Sequence, residues 1–157
     1  MHRGPGSAVP RQTRPGGKRG TLLVVEDDEV LRRLIRMTFE KESYRVLAAG
    51  DGMQGLQLLE SRFGNVDLVV CDIIMPRLNG WQLRARALAA YPGLRFLLIT
   101  GFQGEIPAED DLRSTSILEK PFHPAELVRK VEELLRKGRS GASGSSEEDS
   151  DDLASTA

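Results

Sequence analysis

The run Thr21-Leu22-Leu23-Val24-Val25 is apolar at consecutive positions, so a strand built from it must be covered on both faces. A strand with one face in water alternates apolar and polar residues, whereas one buried on both faces does not. The same signature returns at Asp67–Cys71 and Leu94–Ile99, more weakly at Tyr44–Ala49, and briefly at Ser116–Glu119. Between these runs the periodicity is helical. Glu29–Lys41 sets Leu31, Leu34, Ile35, Thr38 and Phe39 on one face, and Gly52–Phe63 does so with Met53, Leu56, Leu59 and Phe63. From Gly80 to about Tyr91 the pattern turns Trp81, Ala85, Leu88 and Ala89 inward. Pro124–Lys137 repeats Leu127, Val128, Val131, Leu134 and Leu135 at helical spacing before Gly138, a C-terminal stop. Residues 104–115 are polar and interrupted by Pro107, which predicts only a short helix after the proline.

Five strand-to-helix alternations predict an α/β fold with the helices on both faces of a parallel sheet. Their span of about 117 residues suits a flavodoxin-like, doubly wound, five-stranded sheet and is too short for an eight-unit barrel, which takes about 250. One domain over 21–137 is therefore expected, between a basic Gly/Pro-rich tail (1–20) and a Ser/Gly-rich acidic tail (138–157), both expected to be disordered. The first tail carries five Arg/Lys and no acid, the second five acids and one Arg. The span between them is balanced, and the net charge of −1 gives no global field toward nucleic acid or membrane. Cys71 is the sole cysteine, which excludes an intrachain disulfide. With no membrane-length apolar run and no signal-peptide core, a cytoplasmic location is expected.

In an open α/β sheet, ligands bind outside the carboxyl ends of the strands. The polar residues found there are Glu26-Asp27 after the first strand, Asp72 at the end of the third, Thr100 after the fourth and Lys120 after the fifth. Three crowded carboxylates repel one another unless a cation intervenes. Oxygen ligands in an open, hydrated site suit Mg²⁺, which often binds one or two carboxylates together with a phosphate. Lys120 supplies a point charge and Thr100 a hydroxyl donor for phosphoryl oxygens, leaving Asp72 as the nucleophile. Of the three acids in sequence after Val25, Glu26 and Asp27 are read as the pocket pair and Asp28 as the start of the helix.

These residues stand in motifs. Val24-Val25-Glu26-Asp27, Asp72 followed by Met75-Pro76 and Asn79-Gly80, Thr100-Gly101, and Lys120-Pro121-Phe122 occur in that order. Over about residues 20–137 the chain resembles the receiver domain of bacterial two-component response regulators, of the stand-alone type. The resemblance implies that Asp72 is the phosphoacceptor, Asp27 a direct Mg²⁺ ligand, Glu26 a ligand through water, and the Ile74 main-chain carbonyl a further ligand. It also implies that Thr100 and Lys120 hold the phosphoryl oxygens and that the Lys120–Pro121 bond is cis.

Two positions depart from the family pattern. Ile117 stands where many receivers have an aromatic switch residue, so the aromatic form of the switch is absent. Ile74 and Phe102 are apolar where many members carry polar groups, an arrangement expected to screen the phosphoryl group and slow its hydrolysis. The resemblance implies a signalling module that receives its phosphoryl group from a histidine kinase or a histidine phosphotransfer protein. Its output is expected through protein contacts, with no DNA-binding domain and no enzymatic role of its own. The alternative is a phosphorylation-independent module that kept the receiver surface. The Arg32, Arg33, Arg36 stripe is expected to be solvated, and in receivers the first helix commonly helps to dock the phosphodonor.

Overall fold

The computed structural model describes residues 19–61, 65–101 and 115–137. Phe102 and the helix expected after Pro107 lie outside the described residues, as do both tails apart from Arg19 and Gly20. The elements in order are β1 (Thr21–Val25), α1 (Glu29–Lys41), β2 (Arg45–Ala49), α2 (Gly52–Ser61), β3 (Leu68–Asp72), α3 (Gly80–Ala90), β4 (Arg95–Thr100) and β5 (Thr115–Glu119). A last helix, α4, occupies residues 124–137.

All strand pairs are parallel, in the order β2-β1-β3-β4-β5. The doubly wound sheet expected from the apolar runs is thus the observed fold. Alternate residues of each strand feed two separate cores. Leu22, Val24, Leu68, Val70, Leu97 and Ile99 face Ile35 and Phe39 of α1 and Leu127, Val131 and Leu134 of α4. Leu23, Val25, Val69, Cys71, Phe96 and Leu98 face Leu59 of α2 and Leu83 and Ala87 of α3. The five residues of β1 and the five of β3 are buried throughout, because both strands are central and covered on both faces.

Three helical faces differ from the sequence pattern. In α1 the inward stripe is Leu31–Ile35–Phe39, while Leu34 is 46% exposed beside Val30 and Met37. In α2 the inward side is Gly52, Gly55 and Leu59, and Met53 faces solvent. Buried glycines carry no hydrophobic signal, yet Gly55 lets this helix approach Val25 of β1, and Gly52 lets it approach the Leu78 backbone beyond β3. In α3 Gly80, Leu83 and Ala87 point inward with Trp81 and Leu88 half-buried, and Ala85 and Ala89 are exposed. Five alanine-like or short side chains around a helix give weak phase information, so Leu83, its one fully buried large side chain, decides the face.

Substitution tests that assignment directly. Leu83→Ala is expected to destabilise the fold by about 2–5 kcal/mol in denaturant unfolding, whereas Ala85→Ser or Ala89→Ser changes it by less than about 0.5 kcal/mol.

Candidate functional site: an acidic crevice at the sheet edge

From β1 the chain crosses to β2 on one side, and β3 lies on the other, so the sheet reverses direction of winding between β1 and β3. The crevice at such a switch point lies outside the strand carboxyl ends. Glu26 and Asp27 leave β1 there, and Asp72 is the last residue of β3. Carboxylate oxygens from Glu26, Asp27 and Asp72 all come within 4.8 Å of one another. Lys120, the residue after β5, sets its Nζ 3.5 Å from Asp72 Oδ2. The Lys120–Pro121 bond is cis. Thr100 ends β4 one residue beyond Ile99, the register partner of Asp72, and its carbonyl accepts the Lys120 N–H at 2.8 Å.

Local sequence explains how each loop is held. Glu26 N–H bonds the Ala49 carbonyl (3.1 Å), and Asp28 N–H bonds Glu26 Oε2 (3.0 Å). Asp28 itself caps α1, accepting from Val30 and Leu31 N–H, so it is the helix-start residue and its neighbours are left for the crevice. After β3, Ile74 N–H donates to the Asp72 carboxylate, while the Ile74 side chain is half-exposed. Asn79 caps α3 in a reciprocal capping box with Gln82. Gly80 N–H bonds the Ile73 carbonyl at 2.8 Å. A Cβ on Gly80 would lie 2.6 Å from the Asp72 carbonyl oxygen and 2.8 Å from Ile73 Cα, so no larger residue fits without moving the loop.

Electrostatics sets these carboxyls apart from surface acids. Glu26 is 1% exposed and Asp72 6%, while Asp27 is open to solvent. Burial pushes the Glu26 carboxyl up to about 7, with the Asp28 N–H and Lys120 opposing and Asp72 reinforcing the rise. Burial also raises Asp72, against the pull of Lys120. Among the described residues, Glu26 Oε1 is the buried side-chain oxygen with no hydrogen-bond partner. An orphaned carboxylate oxygen beside two more carboxylates fits a hard divalent cation, which would bring the charge and the coordination that the protein alone leaves unmet.

The structure thus brings together Glu26, Asp27, Asp72 and Lys120, and places Thr100 and Ile74 beside them. Sequence reasoning missed Arg32. Its Nη1 donates to the Glu26 carbonyl at 2.7 Å, while Arg33 and Arg36 form solvent-exposed i,i+4 pairs with Glu29 and Glu40. The departure from a solvated stripe has a simple cause: at the second turn of α1, Arg32 alone points back over the β1 end. Ile117 is half-buried and packs in the same core as Trp81.

A family model, the response regulator receiver domain, matches residues 22–132. The chain belongs to the response regulator receiver domain family. It is 34% identical over 116 residues to the response regulator receiver protein CpdR of Brucella abortus, covering 73% of this chain and 95% of that one. It is 30% identical to the sensor kinase CckA of the same organism, spanning 13% of that protein's length. Among solved structures, a response regulator receiver protein from Sinorhizobium medicae superposes with a TM-score of 0.69 at 28% identity, covering 76% of this chain and 96% of that one. The receiver domain thus functions within two-component signalling, a family in which phosphorylation and Mg²⁺ are general features. Among the described residues no helix is long and apolar enough to cross a membrane.

The raised Glu26 carboxyl makes stability depend on pH. The folded state retains a proton that the unfolded state releases near 4.5, so stability falls as pH rises from there to about 7 and then levels off. In EDTA, the melting temperature of the wild type is expected to fall across that window by more than that of Glu26→Gln. Parallel curves would show that Glu26 is not the group responsible.

Proposed function

We propose that Asp72 accepts a phosphoryl group from a histidine kinase or a histidine phosphotransfer protein, and that the resulting acyl phosphate switches the domain's contacts with other proteins. The observation that carries this reading is the proximity of Asp72 both to Lys120 Nζ, at 3.5 Å, and to the Glu26/Asp27 pair, within 4.8 Å. A buried carboxylate that meets both a lysine and a pair of acids is poorly explained as a structural ion pair. It suits a nucleophile that must receive an anionic group.

In this reading Asp27, Asp72 and the Ile74 main-chain carbonyl hold Mg²⁺ directly and Glu26 holds it through water. When bound, the ion offsets the negative charge shared by the carboxylates and the incoming phosphoryl oxygens. An Asp72 carboxylate oxygen attacks phosphorus, the bond from phosphorus to the donor's imidazole nitrogen breaks, and the imidazole keeps the electron pair. Lys120 balances charge on the phosphoryl oxygens and the Thr100 hydroxyl donates to one of them. Hydrolysis later returns orthophosphate and the free carboxylate. The chain is read as a signalling module whose own chemistry serves the switch.

The first helix offers a docking face for the donor. Val30, Leu34 and Met37 are exposed and, with Glu29 and Arg33, line a shallow groove that begins just after the acidic crevice. An apolar stripe with flanking charges suits a helical partner. The similarity to a sensor kinase and to a stand-alone receiver supports a kinase or phosphotransfer protein as that partner.

Incubation with acetyl phosphate and Mg²⁺ tests the reading. The wild type is expected to acquire one acid-stable, hydroxylamine-sensitive phosphoryl group; Asp72→Asn and Asp72→Ala acquire none, and Lys120→Ala reacts about 100-fold more slowly. Labelling of Asp72→Ala to the wild-type level would overturn it. Ile74, whose half-exposed side chain flanks Asp72, is expected to slow hydrolysis, so Ile74→Asn shortens the phosphoprotein lifetime several-fold.

A further inference from the structure

The loop from Ile73 to Asn79 joins Asp72 to α3, and its middle is strained. Arg77 has φ +67°, a left-handed conformation that side chains other than glycine seldom adopt. Leu78 N–H donates to the Pro76 carbonyl at 2.7 Å, closing a three-residue turn around Arg77. Turns of this class with positive φ are rare, and they persist only where their surroundings hold them.

What holds this one is the neighbouring loop between β2 and α2. Arg77 Nη2 lies 3.1 Å from Asp51 Oδ2. The other oxygen of the same carboxylate accepts Gln54 N–H at 2.8 Å at the start of α2, so Asp51 is anchored before it meets the arginine. The Gln54 N–H, followed by Arg77, holds the Asp51 carboxyl below its usual range and keeps the pair charged at neutral pH. Leu78 is buried, and a Cβ on Gly52 would lie 2.6 Å from its carbonyl oxygen, so the two loops touch through backbone. Three residues before Arg77, Ile74 N–H donates to the Asp72 carboxylate.

We propose that Arg77 and Asp51 form a latch that holds the strained turn against the β2–α2 loop, making them positioning residues for Asp72 and for the Ile74 main chain beside it. This rests on the reading of Asp72 as a Mg²⁺-dependent phosphoacceptor. Neither residue touches the reacting atoms. An exposed ion pair contributes little to global stability, so the effect belongs in metal affinity and not in melting temperature.

The charges themselves provide the discriminating test. Removing a cation near an acidic crevice should tighten Mg²⁺ binding if only the electric field matters. Loss of the latch predicts the opposite. Calorimetric titration of the full chain with MgCl₂ is expected to show Arg77→Gln and Asp51→Asn binding about tenfold more weakly than wild type. Asp51→Asn keeps an oxygen to cap α2. Melting temperatures without Mg²⁺ should stay near wild type. Acetyl phosphate labelling should need proportionally more Mg²⁺, with an unchanged rate at saturation. Arg77→Lys is expected to recover most of the affinity, and the double variant to be no worse than either single one. Wild-type or tighter Mg²⁺ binding by Arg77→Gln overturns the latch, as does additive loss in the double variant. A wild type that neither binds Mg²⁺ nor becomes labelled overturns the reading of Asp72 as well.

Discussion

Desolvation of two carboxyl groups at one point of the sheet is the constraint on which the site depends. Glu26 and Asp72 are buried at the ends of adjacent central strands, where the fold covers both faces and leaves only the edge open. Their negative charges are partly offset by Lys120, Asp28 N–H and Ile74 N–H, and the offset is incomplete. The orphaned Glu26 oxygen is the visible remainder. A folded state that keeps such a deficit is less stable than one with an apolar crevice would be, and the deficit is what gives the crevice its affinity for positive charge and for a phosphoryl group brought with it.

The scaffold supports this local cost through its two cores. Every central strand contributes alternate residues to both, so β1 and β3 are fixed from above and below and their carboxyl ends deliver Glu26, Asp27 and Asp72 to the crevice. Backbone bonds then set the loops: Ala49 to Glu26, Ile99 to Ile73, and Ile73 to Gly80. Precision at the crevice therefore derives from packing tens of ångströms of apolar strand, with only short connections left to position the acids.

The strands, their parallel pairing and the identity of the crevice residues were legible because each rests on a strong local signal. Continuous apolar runs mark buried strands, and acids at their ends have no role in the core. The helix faces were less legible. Leu34 and Met53 read as core and are exposed, since surface leucines and methionines look the same as buried ones in a periodic pattern. Gly52 and Gly55 are buried for reasons of close approach that hydropathy does not encode. Arg32 and Arg77 were hidden for another reason: an arginine's role is fixed by which carbonyl or carboxylate its long side chain reaches, and those partners are Glu26 and Asp51, six and twenty-six residues away. Asp28 was readable because capping is local in sequence.

Gly80 makes backbone contact with the residue that ends β3, with no side chain between them. Side chains act as compliant spacers, since rotamers can shift to absorb small movements of the groups they touch. Here that compliance is missing, and the first turn of α3 is butted directly against the Asp72 main chain. A displacement of that carbonyl by a fraction of an ångström has to be taken up by the whole helix, including Trp81 on its first turn. The absence of one methyl group thus turns α3 into a stiff pointer fixed at the strand end.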